Sequence, residues 1–218
     1  MITDEWFDIM LYAKSNQLKV VCMTNKNTLN ICSNKAFWYK KFNHDGLPII
    51  NPGNTINQWI KEYEYVDKTM HTVEKLIMLL KSENNATINF KIPSTSLYHQ
   101  FITDKIQNDF IENFKGDTEN IELSFDLTDP IELTFLPIES DDSYGSYGFE
   151  SHDQISLNDM KNIFFKIFYY YPSVDPDDDY LPYMDGPKMH NMFIRLYRYL
   201  QSSQKATLEN RLDFWSKY

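Results

Sequence analysis

Apolar residues between positions 2 and 42 recur at intervals of three and four, the spacing that places side chains on one face of a helix. The pattern predicts several short helices, with Thr3 or Asp4, Asn16, Thr24 or Asn25, and Ser33 or Asn34 as candidate caps. Helices this short are marginal alone and must pack on one another or on a partner. The apolar positions are Phe7, Met10, Leu11, Leu18, Val21, Cys22, Leu29, Ile31, Phe37, Trp38 and Phe42.

The chain after position 42 predicts a loop and then a longer helix. Residues 43–54 hold two Pro and two Gly, which is typical of a connection between elements. A helical pattern resumes over residues 55–82, with Thr55 as its cap. Polar residues follow at 83–85 and suggest a domain boundary there. We therefore predict a helical domain at 1–82 and a second domain at 83–218.

Alternating apolar and polar residues appear only from Ala86 onward, and alternation with a period of two is typical of half-buried strands. The pattern predicts strands at 86–92, 121–127 and 131–138, the last two joined as a hairpin through residues 128–130. Helical spacing returns at 96–114, 157–171 and 189–218, and Ser156 precedes the second of these. The predicted fold class is α+β: an all-helical N-terminal module, then a small domain with a mainly antiparallel sheet covered by helices.

The N-terminal segment resembles an F-box. Ile2-Thr3-Asp4-Glu5 stands where that family opens with Leu-Pro-x-Glu, and Ile9-Met10 occupies its apolar pair. Residues 18–22 match its second helix, and Phe37-Trp38 matches the Leu-Trp pair near its end. The details are most similar to F-box-like N-termini of large DNA virus proteins. The shared stretches are Thr24-Asn25-Lys26, Ile31-Cys32-Ser33-Asn34 and Asp45-Gly46-Leu47-Pro48.

The resemblance implies a non-enzymatic adaptor. Its N-terminal helices would dock on a Skp-type adaptor of a host cullin–RING ubiquitin ligase, and the second domain would hold a target protein. The residues implied in adaptor binding are Ile2, Glu5, Trp6, Phe7, Ile9, Met10, Leu18 and Trp38. One alternative is a viral structural or assembly protein that uses the same helices only as core or for self-association. Another is an inhibitor whose acidic half mimics nucleic acid or a charged ligand.

Charge is distributed unevenly along the 218 residues. Positions 1–82 carry ten Lys and Arg against eight Asp and Glu, whereas positions 83–218 carry eleven against twenty-three. Binding to a phosphate backbone depends on clustered cations, so the acidic half argues against a nucleic-acid partner. No apolar run is long enough for a membrane span, and the acidic N-terminus does not resemble a signal peptide. We therefore expect no membrane contact and a location in the host cytoplasm or virus factory. Cys22 and Cys32 are expected to be buried thiols in a reducing compartment.

Motifs that carry catalysis or bind cofactors are missing from the sequence. The five histidines lie far apart, and neither a phosphate-binding Gly-rich loop nor a nucleophile elbow is present. Residues 174–186 resemble a calcium loop only superficially. Counted from Asp175, the sixth position is Tyr180 and not Gly, and the twelfth is Gly186 and not Glu. The sequence therefore predicts no enzyme, cofactor or metal site.

Two acidic, aromatic segments of the second half, residues 139–153 and 174–186, are predicted to be irregular. They are either solvated loops or the surface that binds a target. In the second case their aromatic side chains would supply rigid contact area. These are Tyr144, Tyr147, Phe149, Tyr180 and Tyr183.

Overall fold

The computed structural model describes residues 4–82, 87–93, 108, 118–139 and 150–170 of the chain. Over these residues five helices come first, and four strands and a further long helix are described after them, which confirms the predicted α+β class and the predicted order of helices before strands. The helices are α1 Asp4–Leu11, α2 Ser15–Thr24, α3 Lys26–Cys32, α4 Lys35–His44, α5 Ile56–Ser82 and α6 Leu157–Tyr170. The strands are β1 Thr87–Pro93, β2 Thr118–Asp126, β3 Ile131–Glu139 and β4 Ser151–Ile155.

The chain divides into two compact units, Met1–His71 and Thr72–Tyr218. The long helix α5 therefore contributes its first part to one unit and its last part to the other. That residues 1–82 and 83–218 are two separate domains remains a prediction.

Short polar side chains start several of the helices, as the sequence predicts. The Asn25 side chain accepts from the amides of Asn27 and Thr28 at the start of α3, and Asn34 accepts from Ala36 at the start of α4. Thr55 accepts from the amide of Gln58 at the start of α5. These bonds satisfy backbone donors that a helix leaves without partners in its first turn. The prediction of Asn16 as a cap is wrong, because α2 already begins at Ser15.

An aromatic cluster forms the core of the N-terminal unit. Trp38 of α4 is fully buried and lies parallel to Trp59 of α5, with ring centroids 5.9 Å apart. Phe42 and Tyr63 pack edge to face, with centroids 5.3 Å apart. The indole N–H of Trp38 donates to the carbonyl oxygen of Cys32 at 2.8 Å, so the largest core residue leaves no buried donor unpaired.

Cys22 and Cys32 form a disulfide, so the predicted pair of free thiols is wrong. Burial of both residues was expected correctly. The turn between α2 and α3 brings their Cα atoms to 5.7 Å, inside the range that a disulfide requires. The prediction of free thiols relied on an expected reducing compartment. The distance between Cys22 and Cys32 depends on how α2 and α3 pack, which the sequence does not show.

Two glycines shape the connection from α4 to α5. Gly46 has a φ of +65°, a conformation that glycine adopts without steric cost. A Cβ atom on Gly53 would lie only 2.6 Å from the backbone nitrogen of Trp59. Gly53 therefore allows the loop to pass directly against the start of α5.

The second unit contains an antiparallel sheet with strand order β1-β2-β3-β4. Because successive side chains of a strand point to opposite faces of the sheet, the buried residues share one face, and they include Phe90, Phe125 and Phe135. Helix α6 covers this face: the Phe164 ring lies 5.1 Å from Phe90 and 4.9 Å from Phe125. The described sheet thus has an apolar face under α6 and a more polar opposite face.

Strand β4 corrects one prediction. Residues 139–153 were expected to be irregular, but Glu139 ends β3 and Ser151–Ile155 pairs with β3. The predicted helix at 189–218 lies outside the described residues, as does that at 96–114 except for Asn108. None of the described helices is both long enough and apolar enough to cross a membrane.

Candidate functional site

Helix α1 packs on the N-terminal core through one side only. Met10 is fully buried, and the ring of Phe7 meets Phe37 of α4 edge to face, with centroids 5.5 Å apart. The ammonium of Lys40 lies 5.1 Å above the Phe7 ring on the outer side. These contacts fix the rotation of α1 about its axis and leave its other side toward solvent.

A buried lysine fixes the C-terminal end of α1. Lys41 of α4 is 2% exposed, and its ammonium donates to the carbonyl oxygen of Leu11, the last residue of α1. The same ammonium pairs with Asp45 at 2.7 Å and lies 5.1 Å above the Tyr63 ring. Because helix C-termini carry partial negative charge, a cation at this position is favourable. One side chain thus joins α1, the end of α4 and α5.

Asp45 is the anionic centre of this cluster. It accepts hydrogen bonds from the hydroxyl of Tyr63 at 2.5 Å and from Lys41, and it pairs with the ring of His44 at 2.8 Å. Burial acts to raise the pKa of Asp45, but the hydrogen bonds to Lys41, Tyr63 and His44 and the charge of Lys41 outweigh it, so the pKa is lowered. Burial, and then the bond to Asp45, raise the pKa of Tyr63, so its hydroxyl remains a donor.

A pocket of about 510 Å³ opens beside this cluster. Residues 12–16, which connect α1 to α2, form one wall, and Asp67 and Tyr63 of α5 form another. Its charged groups are Lys14, Lys41, Asp45 and Asp67, two cations and two anions. This balance selects neither an anionic nor a cationic ligand, so the pocket does not define a binding chemistry.

The free side of α1 and the residue that directly follows the helix carry three exposed aromatic or aliphatic side chains, which we call the α1 ridge. Trp6, Ile9 and Tyr12 are 40%, 57% and 75% exposed, and they follow one another at intervals of three. Trp6 and Ile9, three residues apart, lie on the same side of α1. Tyr12 directly follows the helix, and its ring meets His44 edge to face, with centroids 4.7 Å apart. Large apolar groups in a row that are held on a rigid support are typical of a protein-binding surface. The ridge is our candidate functional site.

The residues predicted to bind the adaptor separate into two groups. Trp6 and Ile9 belong to the ridge, and Phe7 is partly buried beside it. Direct contact with a partner does not fit Met10, Leu18 and Trp38, because none of them has any exposed area. These three residues belong to the core that supports the ridge. A helical pattern alone does not distinguish core positions from surface positions. Ile2 and the side chain of Glu5 lie outside the described residues.

The pattern of apolar positions did not identify Tyr12 or Lys41 as functional residues. Tyr12 continues the three-residue spacing of Trp6 and Ile9, a signal that was available. The signal for Lys41 was weaker. It lies four residues before Asp45, and opposite charges at this spacing are common on exposed helices. The five predicted target-binding aromatics, Tyr144, Tyr147, Phe149, Tyr180 and Tyr183, lie outside the described residues.

A chain of polar groups on the sheet is the arrangement closest to catalytic chemistry. The hydroxyl of Thr134 lies 3.0 Å from Nδ1 of His152, whose Nε2 lies 3.2 Å from Glu150. The His152 side chain is 61% exposed, so water competes for each of these bonds. Thr134 and His152 are also direct partners across β3 and β4. The contact therefore works as cross-strand pairing and lacks the shielding that an activated nucleophile needs.

Comparisons with known proteins returned no matching family model, no matching curated protein and no matching solved structure.

Replacing Lys41 by Met tests the buried ammonium. We expect Lys41→Met to lower the free energy of unfolding of the N-terminal unit by about 3 kcal/mol, because it leaves Asp45 and the Leu11 carbonyl without their cation. Urea unfolding followed by tryptophan fluorescence measures this, since Trp38 and Trp59 lie in that core. The matched control is the exposed neighbour, Lys40→Met, which should cost less than about 1 kcal/mol. Equal effects of the two substitutions would contradict the role of Lys41.

The lowered pKa of Asp45 predicts a pH dependence. A carboxylate whose pKa is lower in the folded state than in the unfolded state stabilises the fold at pH values above its ordinary pKa of 3.8. That stabilisation is lost as the pH falls through the folded-state pKa. The wild type should therefore exceed Asp45→Asn in unfolding free energy at neutral pH, and the gap should narrow as the pH falls below 3.8. Asp8→Asn, an exposed change on α1, should follow the wild type throughout. A gap that stays constant with pH would refute the assignment.

Proposed function

We propose that this chain is a non-enzymatic interaction adaptor whose N-terminal helices dock on a Skp-type adaptor of a ubiquitin ligase. The observation that carries the proposal is the α1 ridge: Trp6 and Ile9 are exposed on a helix whose opposite side is buried, and the exposed Tyr12 follows directly. An apolar row that the described part of the chain leaves uncovered favours a partner over a role confined to the core.

The support under the ridge favours binding as well. Docking orders side chains and loops, and each group that is already fixed lowers that entropic cost. Here α1 is held by Met10 along its length and by Lys41 at its end. The ridge is thus presented in one orientation before a partner arrives.

The Skp-type identity of the partner comes from the F-box resemblance. In that alignment α1 holds the apolar pair Ile9-Met10, and the structure exposes Ile9 while burying Met10. The docking contact we propose therefore uses Trp6, Ile9 and Tyr12, with Met10 as support. The second unit would hold the target protein. This chain would act in the host cytoplasm, where such ligases work.

Self-association is the second candidate, and one observation favours it. Val20 and Met23 on α2 and Leu29 on α3 are also exposed, at 70%, 54% and 42%. Apolar side chains on more than one helix of the unit could pair with a second copy of the chain. A structural or assembly role would follow from that pairing.

Truncating the ridge separates these candidates. We expect Trp6→Ala/Ile9→Ala to weaken binding to a purified Skp-type adaptor by about thirtyfold or more, because each central anchor contributes about 1–3 kcal/mol. Isothermal titration calorimetry measures the affinity, and circular dichroism checks that the fold persists.

The matched control removes two exposed apolar side chains from α2. Val20→Ala/Met23→Ala should change the affinity for the adaptor by less than about threefold if α1 is the contact. Failure of the wild type to bind at micromolar concentrations would reject the adaptor function. Sedimentation that shows a dimer sensitive to either pair of substitutions would favour self-association.

A further inference from the structure

Helix α2 buries few of its side chains. It spans ten residues, and only Leu18 and Cys22 are buried among them. Its remaining surface includes the exposed Val20 and Met23. Burial of one or two side chains provides little stability to a helix of this length. Leu18 and the bond of Cys22 are therefore the buried attachments that fix α2.

Cys22 is bonded to Cys32, and Cys32 is well anchored. Both cysteines are fully buried, and their Cα atoms lie 5.7 Å apart. The carbonyl oxygen of Cys32 accepts from the indole of Trp38, which lies against Trp59. A continuous path thus runs from α2 through the disulfide and α3 to the aromatic core.

We propose that the Cys22–Cys32 disulfide is a redox latch that fixes α2 on α3, while α4 and the first part of α5 keep their fold in either redox state. The reduced protein retains its aromatic core, because that core does not depend on the sulfur atoms. What changes is the anchoring of α2. This inference does not depend on the identity of any partner.

A small-molecule disulfide such as oxidised glutathione is the oxidant we infer. One cysteine thiolate attacks a glutathione sulfur, which forms a mixed disulfide and releases one glutathione thiolate. The second cysteine thiolate then attacks the protein sulfur of that mixed disulfide and releases the other. Two electrons pass from the protein sulfurs to glutathione, and the two cysteine protons end on the released thiolates.

Burial makes reduction of the closed latch slow. Neither sulfur can be attacked in the closed structure, since Cys22 and Cys32 have no exposed area. Reduction must wait for a local opening that exposes the sulfur atoms to the reductant. Once formed, the disulfide should persist through brief exposure to a reductant.

Hydrogen exchange of the oxidised and reduced full chain tests the latch. The oxidised sample is equilibrated with oxidised glutathione, and the reduced sample with a phosphine reductant in urea before refolding. Alkylation and mass measurement verify each state. We expect the amides of α2 to exchange about tenfold faster or more after reduction, with α4 unchanged. Native reduction should be at least about tenfold slower than reduction in urea, because opening limits it.

The double variant Cys22→Ala/Cys32→Ala is the control, and it should exchange like the reduced wild type under both conditions. Three results would overturn the latch. Free thiols after equilibration with oxidised glutathione would show that the bond does not form. Identical exchange of α2 in both states would show that the bond fixes nothing. Loss of protection throughout the unit, α4 included, would make the disulfide a requirement for folding and not a local latch.

Discussion

The buried ammonium of Lys41 is the interaction on which the N-terminal unit depends. An isolated charge in a protein interior is costly, and it persists only where partners surround it. Here the partners come from three helices: the last carbonyl of α1, Asp45 at the end of α4 and the Tyr63 ring of α5. Because each partner needs the cation, the three elements are constrained together.

This constraint explains why an apolar surface is left free. Helix α1 is only eight residues long and would be marginal without tertiary contacts. Met10 and Phe7 hold its inner side, and Lys41 holds its end. With these contacts in place, the chain has no need to bury Trp6, Ile9 and Tyr12 for stability. The ridge is therefore available to a partner.

Patterning predicted the order of elements because periodicity depends on local sequence. Strand β3 was predicted at 131–138 and runs over Ile131–Glu139, and the helix predicted at 157–171 runs over Leu157–Tyr170. Strand β4 was missed because Ser-His-Asp-Gln-Ile lacks apolar alternation, and its pairing with β3 is a tertiary effect.

The site was harder to predict than the fold. Periodicity shows that Trp6, Met10 and Trp38 are apolar positions of helices, but which side faces the core depends on packing between helices. The buried charge of Lys41 and the disulfide of Cys22 depend on distances across the fold, which a sequence does not display. Lysine is also rarely buried, so the pattern alone assigns it to the surface.

Site-specific photo-crosslinking tests the central claim most directly. A photoreactive phenylalanine derivative placed at Ile9, which is 57% exposed on the ridge, reports what touches α1 in solution. The account predicts a crosslink to a Skp-type adaptor from position 9, and none from the equally exposed position of Met78. Three results would contradict docking through the α1 ridge. These are equal crosslinking from both positions, no crosslink to the adaptor from position 9, and a crosslink only to a second copy of the chain.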